Sequence, residues 1–331
     1  MEVITVTAAG TAIINDSPFA GLAFYVRAGQ TTGRLDYQIR ADEAAEFNRT
    51  LLADTLTLNT VEFLSGLHKN LFAVMGLIEY MDATGSQDGI ELVEDTLSRI
   101  NRIMKVIGYY VSAGSNSVAS VYGQTTATNL LTIANLQYAR TFPSRFISIS
   151  YVNTANKYLN AINRNAWNGS YYEFSPDLHE TVGTKYFYPN VTTMISLTRM
   201  YEATGNTELL EKAIDLFDEM ETLKYNWRPG YYTPYSKNRY GAQTDDFTSL
   251  SPTGYAILAL SSLYYITHDQ KYLNGIYEQL TFIRDYLHDP AAGLIRHHWI
   301  DGAIAPPSAF VCIGCNLQIL WTMWRLENGF N

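Results

Sequence analysis

Apolar residues recur at three- and four-residue spacing along most of this chain, and the runs are broken by short polar turns at a nearly constant interval. Ala44, Phe47, Leu51, Leu52 and Leu56 form the first such stripe, which predicts a helix over 41–59. Turns follow at Gly85, Arg145, Gly205 and Asp269, which lie 60, 60 and 64 residues apart. A pair of helical stretches flanks each turn: 65–82 with 88–107, 125–140 with 146–163, 190–203 with 207–222, and 250–266 with 270–287. Self-similarity at such a period identifies stacked helical hairpins. A last helix, 316–326, has no partner after it, and the 41–59 helix has none before it. Pairing those two across the chain ends closes the array into a ring, which hides faces that an open array must cap.

The two helices of a hairpin differ in polarity. Residues 255–263 are almost free of charge, whereas 208–221 carry Glu211, Lys212, Asp215, Asp218 and Glu219. The first helix of each pair is therefore expected inside and the second outside. Residues 3–40 read differently: Val3-Ile4-Thr5-Val6-Thr7 and Leu22-Ala23-Phe24-Tyr25-Val26 favour strands and are separated by Gly, Asn, Asp and Pro. The expected fold is all-α, an α/α toroid over 41–331, preceded by a short β-rich N-terminal appendage at 1–40.

Composition narrows the partners. Of 331 residues, 47% are hydrophobic and 17% charged, which places the chain among globular proteins. A net charge of -9 with no basic run excludes nucleic acid and anionic membrane surfaces as expected partners. There is no apolar run of about 18 residues, so no membrane insertion is expected. The start Met1-Glu2-Val3-Ile4-Thr5-Val6 lacks the regions of a signal peptide. The expectation is a cytoplasmic protein, or one that reaches an extracellular or virion setting by another route. Twenty-five Tyr and five Trp against 23 Lys plus Arg suit stacking on sugars; Tyr at the wet ends of helical hairpins accounts for the same count.

Segments that leave an outer helix and enter the next inner one would line one mouth of the ring. They carry Trp167-Asn168-Gly169-Ser170-Tyr171-Tyr172-Glu173, Trp227-Arg228-Pro229-Gly230-Tyr231-Tyr232, Thr244-Asp245-Asp246 and His297-His298-Trp299-Ile300-Asp301. Chemistry-bearing side chains are thus gathered on loops held by a rigid scaffold.

The stretch 244–301 resembles the six-hairpin glycosidases, especially unsaturated glucuronyl and rhamnogalacturonyl hydrolases. The resemblance rests on Thr244-Asp245-Asp246-Phe247, the turn Thr267-His268-Asp269, Lys271-Tyr272-Leu273, and the closing Asp289-Pro290-Ala291-Ala292-Gly293-Leu294 followed by His297, His298, Trp299 and Asp301. The chain departs from that pattern in having four and a half legible hairpins, an aspartate hairpin near the C-terminus, and Phe310-Val311-Cys312-Ile313-Gly314-Cys315-Asn316 after the Trp299 element. Asp-Pro-x-x-Gly-Leu closings also occur in N-acylglucosamine 2-epimerase relatives, so the resemblance speaks to fold before activity.

The resemblance implies Asp245 as general acid/base. Asp245 and Asp246 are neighbours and face opposite ways, so one points into the mouth while the other caps the inner helix, unless both cap. Glu173 is the candidate second carboxylate, which an ordinary glycosidase needs about 5–9.5 Å from the first; a solvated loop acid is the plainer alternative. His297 or His298 could serve proton transfer in a sugar epimerase or isomerase, or stay structural. Candidate sugar contacts are Trp167, Tyr172, Trp227, Arg228, Tyr232, Arg296, Trp299 and Asp301, with the arginines suited to a uronate. Cys312 and Cys315, with a nearby His, give a weak zinc pattern against core packing or a disulfide. No nucleotide or other cofactor motif is present, so none is expected. The leading expectation is a carbohydrate-active hydrolase; a histidine epimerase and a non-catalytic glycan-binding or structural ring are the alternatives.

Overall fold

A computed structural model describes residues 17–111, 124–174, 185–223, 247–291, 293–296, 298–300, 303–304 and 313–328. The helices are α1 (Ser17–Thr32), α2 (Leu35–Thr57), α3 (Thr60–Ser65), α4 (Leu67–Thr84), α5 (Ile90–Val106), α6 (Gln124–Thr141), α7 (Ile147–Ala166), α8 (Phe187–Thr204), α9 (Thr207–Glu221), α10 (Leu250–Thr267), α11 (Gln270–Phe282) and α12 (Ile313–Asn328). A π turn, Ile283–Leu287, extends α11. Short strands β1 (Phe247–Ser249), β2 (His288–Asp289), β3 (Leu294–Ile295), β4 (His298–Ile300) and β5 (Ala303–Ile304) complete the described elements.

Six helices form a closed inner ring. In order, α1, α4, α6, α8, α10 and α12 each pack on the next, and α12 packs back on α1. Helices α2, α5, α7, α9 and α11 lie outside them, each following its inner partner in the chain. Burial separates the layers as charge patterning predicts. Helix α8 is buried almost all round, from Phe187 and Pro189 to Thr198. The outer helix α5 buries one stripe, Ile90, Val93, Leu97, Ile100 and Met104, at the spacing of a single helical face.

One threonine device ends four of the inner helices. Thr32, Thr84, Thr204 and Thr267 each donate Oγ1 to the carbonyl four residues back, at 2.6–2.8 Å. Each also accepts the backbone N–H two residues on, at 3.2–3.4 Å. The intervening residue must turn left-handed, as Gly33, Gly85 and Gly205 do. His268 takes the same conformation at φ 56°, so the Thr-His-Asp turn is a Thr-Gly turn without its glycine.

Two sequence expectations are corrected at the N-terminus. Leu22–Val26 is helical, inside α1, because Phe19, Leu22, Ala23 and Val26 are buried at helical spacing against α4 and α12. Strand propensity of Phe-Tyr-Val yields there to a face that the ring must bury. Val3–Thr7 lies outside the described residues. The ring is accordingly closed by α1 rather than by the 41–59 helix, which is the outer partner of α1 and starts at Leu35. Five hairpins plus α12 replace the four and a half read from the sequence.

Burial pushes the Tyr151 phenol up to about 12. Such a group contributes stability that is whole below its ordinary value of 10.0 and is lost as pH rises through the folded value. The thermal midpoint should therefore fall between pH 10 and 12, and Tyr151→Phe should flatten part of that fall in a calorimetric pH series.

Candidate functional site

The mouth at the N-terminal ends of the inner helices is built by anchored loops. Between α7 and α8, Asn168 Oδ1 accepts the N–H groups of Ser170 and Tyr171, both at 3.1 Å, and Gly169 takes φ 106°. The chain then returns, with Glu173 N donating to Ala166 O at 2.9 Å. Thr125, at the start of α6, donates its N–H to Phe174 O at 3.2 Å and its hydroxyl to Glu173 O.

An asparagine in the first turn of two inner helices holds the loop that precedes it. The buried Asn190 of α8 accepts from Tyr172 N at 2.7 Å and donates to Tyr172 O at 3.0 Å. Asn316 of α12 does the same with Ile295, at 2.9 Å in both directions. One carboxamide thus satisfies both backbone groups of one residue, as a ladder partner would. Asn190-Val191-Thr192 matches the N-glycosylation pattern, but its asparagine is buried in this contact.

Two segments about 50 residues apart meet at this end. β1 runs antiparallel to β4, pairing Phe247 with Ile300, Thr248 with Trp299 and Ser249 with His298. β1 leads directly into the inner helix α10. Along the chain Asp245 and Asp246 immediately precede β1, and His297 and Asp301 flank β4.

Of the predicted site residues, Glu173 is half-buried with its backbone fixed as above. His298 and Trp299 lie in β4. Tyr172 is corrected as a sugar platform: it is fully buried. Its ring lies 4.9 Å from that of Trp167 and 5.2 Å from Lys212 Nζ, and its hydroxyl donates to Asn163. Lys212 also sits 4.4 Å from the Trp167 ring, so that indole gives packing to the outer layer. Arg296, the candidate uronate cation, is engaged within its own hairpin. Its guanidinium is bound to Asp289 at 2.5 Å and its N–H to Leu287 O at 2.8 Å. With Asp289 Oδ1 accepting Ala291 N at 3.1 Å and Gly293 left-handed, the Asp-Pro-x-x-Gly-Leu closing is a self-contained hairpin clasp. Asp245, Asp246, Trp227, Arg228, Tyr232, His297, Asp301 and Cys312 lie outside the described residues, as does the side chain of Cys315.

Sequence reasoning missed a second cluster, inside the ring and toward the C-terminal ends of its helices. A cavity of about 280 Å³ opens there, lined by Gln137, Arg140, Arg199, Ser262, Trp321 and Arg325 among apolar side chains. Behind the lining residue Arg325, the buried Glu79 binds Arg27 Nε at 2.7 Å and faces Arg325 at 3.9 Å. Arg27 also pairs with Asp82, and Arg199 with Glu202 at 3.0 Å. Burial alone would raise the Glu79 carboxyl, but Arg325 and Arg27 more than offset it and hold it below its ordinary value. Burial pushes Arg325 down to about 10; Glu79 opposes that fall, while Arg199, Arg140 and Arg27 deepen it. A signal existed in the sequence. The fifth residue before the closing threonine is Arg27, Glu79, Arg199 or Ser262 in α1, α4, α8 and α10, one polar group in each of these four inner helices.

The same fold occurs in known proteins of low sequence identity. A cellobiose 2-epimerase from Spirochaeta thermophila matches 95% of this chain and 86% of its own, with TM-score 0.69 and 14% identity. An unsaturated glucuronyl hydrolase in complex with dGlcA-Glc-Rha-Glc matches 98% and 90%, with TM-score 0.68 and 14% identity. An α-1,6-mannanase of Salegentibacter sp., inactive through replacement of two adjacent aspartates and bound to α-1,6-mannotetrose, matches 69% and 62%, with TM-score 0.56 and 16% identity. The chain is an α/α toroid. No protein-family model matches it, and no curated protein sequence does.

Proposed function

We propose that this chain is a carbohydrate-active hydrolase whose active site is the mouth where β1 and β4 pair. The observation that carries this is the β1–β4 register, which sets the strand following Asp245-Asp246 beside the strand that bears His298 and Trp299. A carboxylic acid held there protonates the leaving oxygen, or the double bond of an unsaturated uronyl end, and its conjugate base then activates water. Asp245 takes that role in the proposal. Asp246 and Glu173 are the candidate second carboxylates, and Trp227, Tyr232, Trp299, Arg228 and Asp301 the candidate sugar contacts.

The adjacent pair is the feature shared with the mannanase, which is inactive when its two neighbouring aspartates are replaced. Epimerisation is the second reading, favoured by the likeness to a cellobiose 2-epimerase along nearly the whole chain and by the place of His298 opposite Ser249. There a histidine would move the proton at the carbon beside the carbonyl.

Proton NMR of the protein in D₂O with an unsaturated uronyl disaccharide, α-1,6-mannotetraose and cellobiose tests both. Hydrolysis releases new reducing ends; epimerisation places deuterium in the sugar without cleavage. No change in any of the three sugars would overturn the enzyme reading and leave a non-catalytic ring.

A further inference from the structure

The cavity within the ring is built unlike a simple structural plug. Three guanidiniums, Arg140, Arg199 and Arg325, and one carboxylate, Glu202, line it, and Glu79 stands behind Arg325 with Arg27 and Asp82. Arg27 pairs with Glu79 and Asp82, Arg325 with Glu79, and Arg199 with Glu202. Arg140 has neither a hydrogen bond nor an ion pair among the described residues. It lines the cavity with exposed surface, yet burial, and then repulsion from Arg199, lower its pKa.

The apolar part of the cavity is equally specific. Leu130, Ile195, Leu258 and Trp321 line it, and Trp321 is 4% exposed with an indole Nε1 that has no hydrogen-bond partner among the described residues. A cation without an ion-pair partner beside an apolar wall suits a small anion with an apolar body.

We propose that this cavity binds a small organic monocarboxylate, its carboxylate on Arg140 and Arg199 and its body against Trp321 and Leu258. One cation in excess suits a single negative charge, and guanidinium presents the fork that pairs a carboxylate through two parallel bonds. The site lies toward the opposite ends of the inner helices from the β1–β4 mouth, and it stands whether or not that mouth turns over sugars.

Thermal unfolding with benzoate, compared with sodium chloride at equal ionic strength, neutral benzyl alcohol and glucuronate, tests the proposal. At saturating benzoate the midpoint should rise by roughly 2–4 °C, benzyl alcohol should give no such rise, and glucuronate, with its polar body, a smaller one. Arg140→Gln should fold, since the guanidinium has no native partner to lose, and should abolish the benzoate rise. The absence of a rise in the unmodified protein, an equal rise in Arg140→Gln, or failure of that variant to fold would each overturn the proposal. A larger rise with glucuronate than with benzoate would overturn the assignment of an apolar body.

Discussion

Replacing Glu79 with Ala should cost roughly 3–5 kcal/mol, the range for removing one partner of a buried ion pair. Its side chain is 1% exposed and faces two arginines from helices at opposite ends of the chain, Arg27 of α1 and Arg325 of α12. Gln137 of α6 also donates to it at 3.4 Å. Loss of the carboxylate leaves a crowd of like charges where α1, α4 and α12 meet, which is where the ring closes. Chemical denaturation should show a lower midpoint, with Glu79→Gln close behind because it keeps the volume but not the charge. The pH dependence has a definite sign. Since the folded carboxyl is held below its ordinary 4.5, its stability is present above that value and is lost as the pH falls through the folded one. The Gln variant should therefore lack part of the acid limb of the unmodified protein's stability curve.

Asp245→Asn should lower sugar turnover by about 10²–10⁴-fold, the usual contribution of a positioned acid/base. The swap keeps size and removes only the titrating proton, so binding should persist while the rate is lost. Asp246→Asn separates the two carboxylates. A comparable loss makes both part of the chemistry, whereas a small loss with reduced stability assigns Asp246 to capping the helix that β1 leads into.

The ring was legible in the chain because its period repeats in turns and in charge. Gly85, Gly205 and Asp269 mark the turns the structure contains, and the charged stripe of 208–221 lies outside as expected. Helix α1 was not legible, because Leu22-Ala23-Phe24-Tyr25-Val26 is locally strand-like and only contact with α4 and α12 makes it a helix. The surroundings of Tyr172 and Arg296 were not legible for a related reason. Composition reports that aromatic and cationic groups are present, but not that one is covered by Lys212 and the other clasped by Asp289. The cavity arginines escaped notice because each stands alone in its own apolar helix; only the closed ring makes them neighbours.

The most direct measurement is a crystal structure of the Asp245→Asn variant soaked with an uncleaved unsaturated uronyl disaccharide or α-1,6-mannotetraose. The sugar is predicted beside β1 and β4, at the N-terminal ends of the inner helices, with the Asp245 position facing its glycosidic oxygen or double bond. Sugar bound elsewhere on the ring, or none at concentrations that saturate the unmodified protein, would contradict the account.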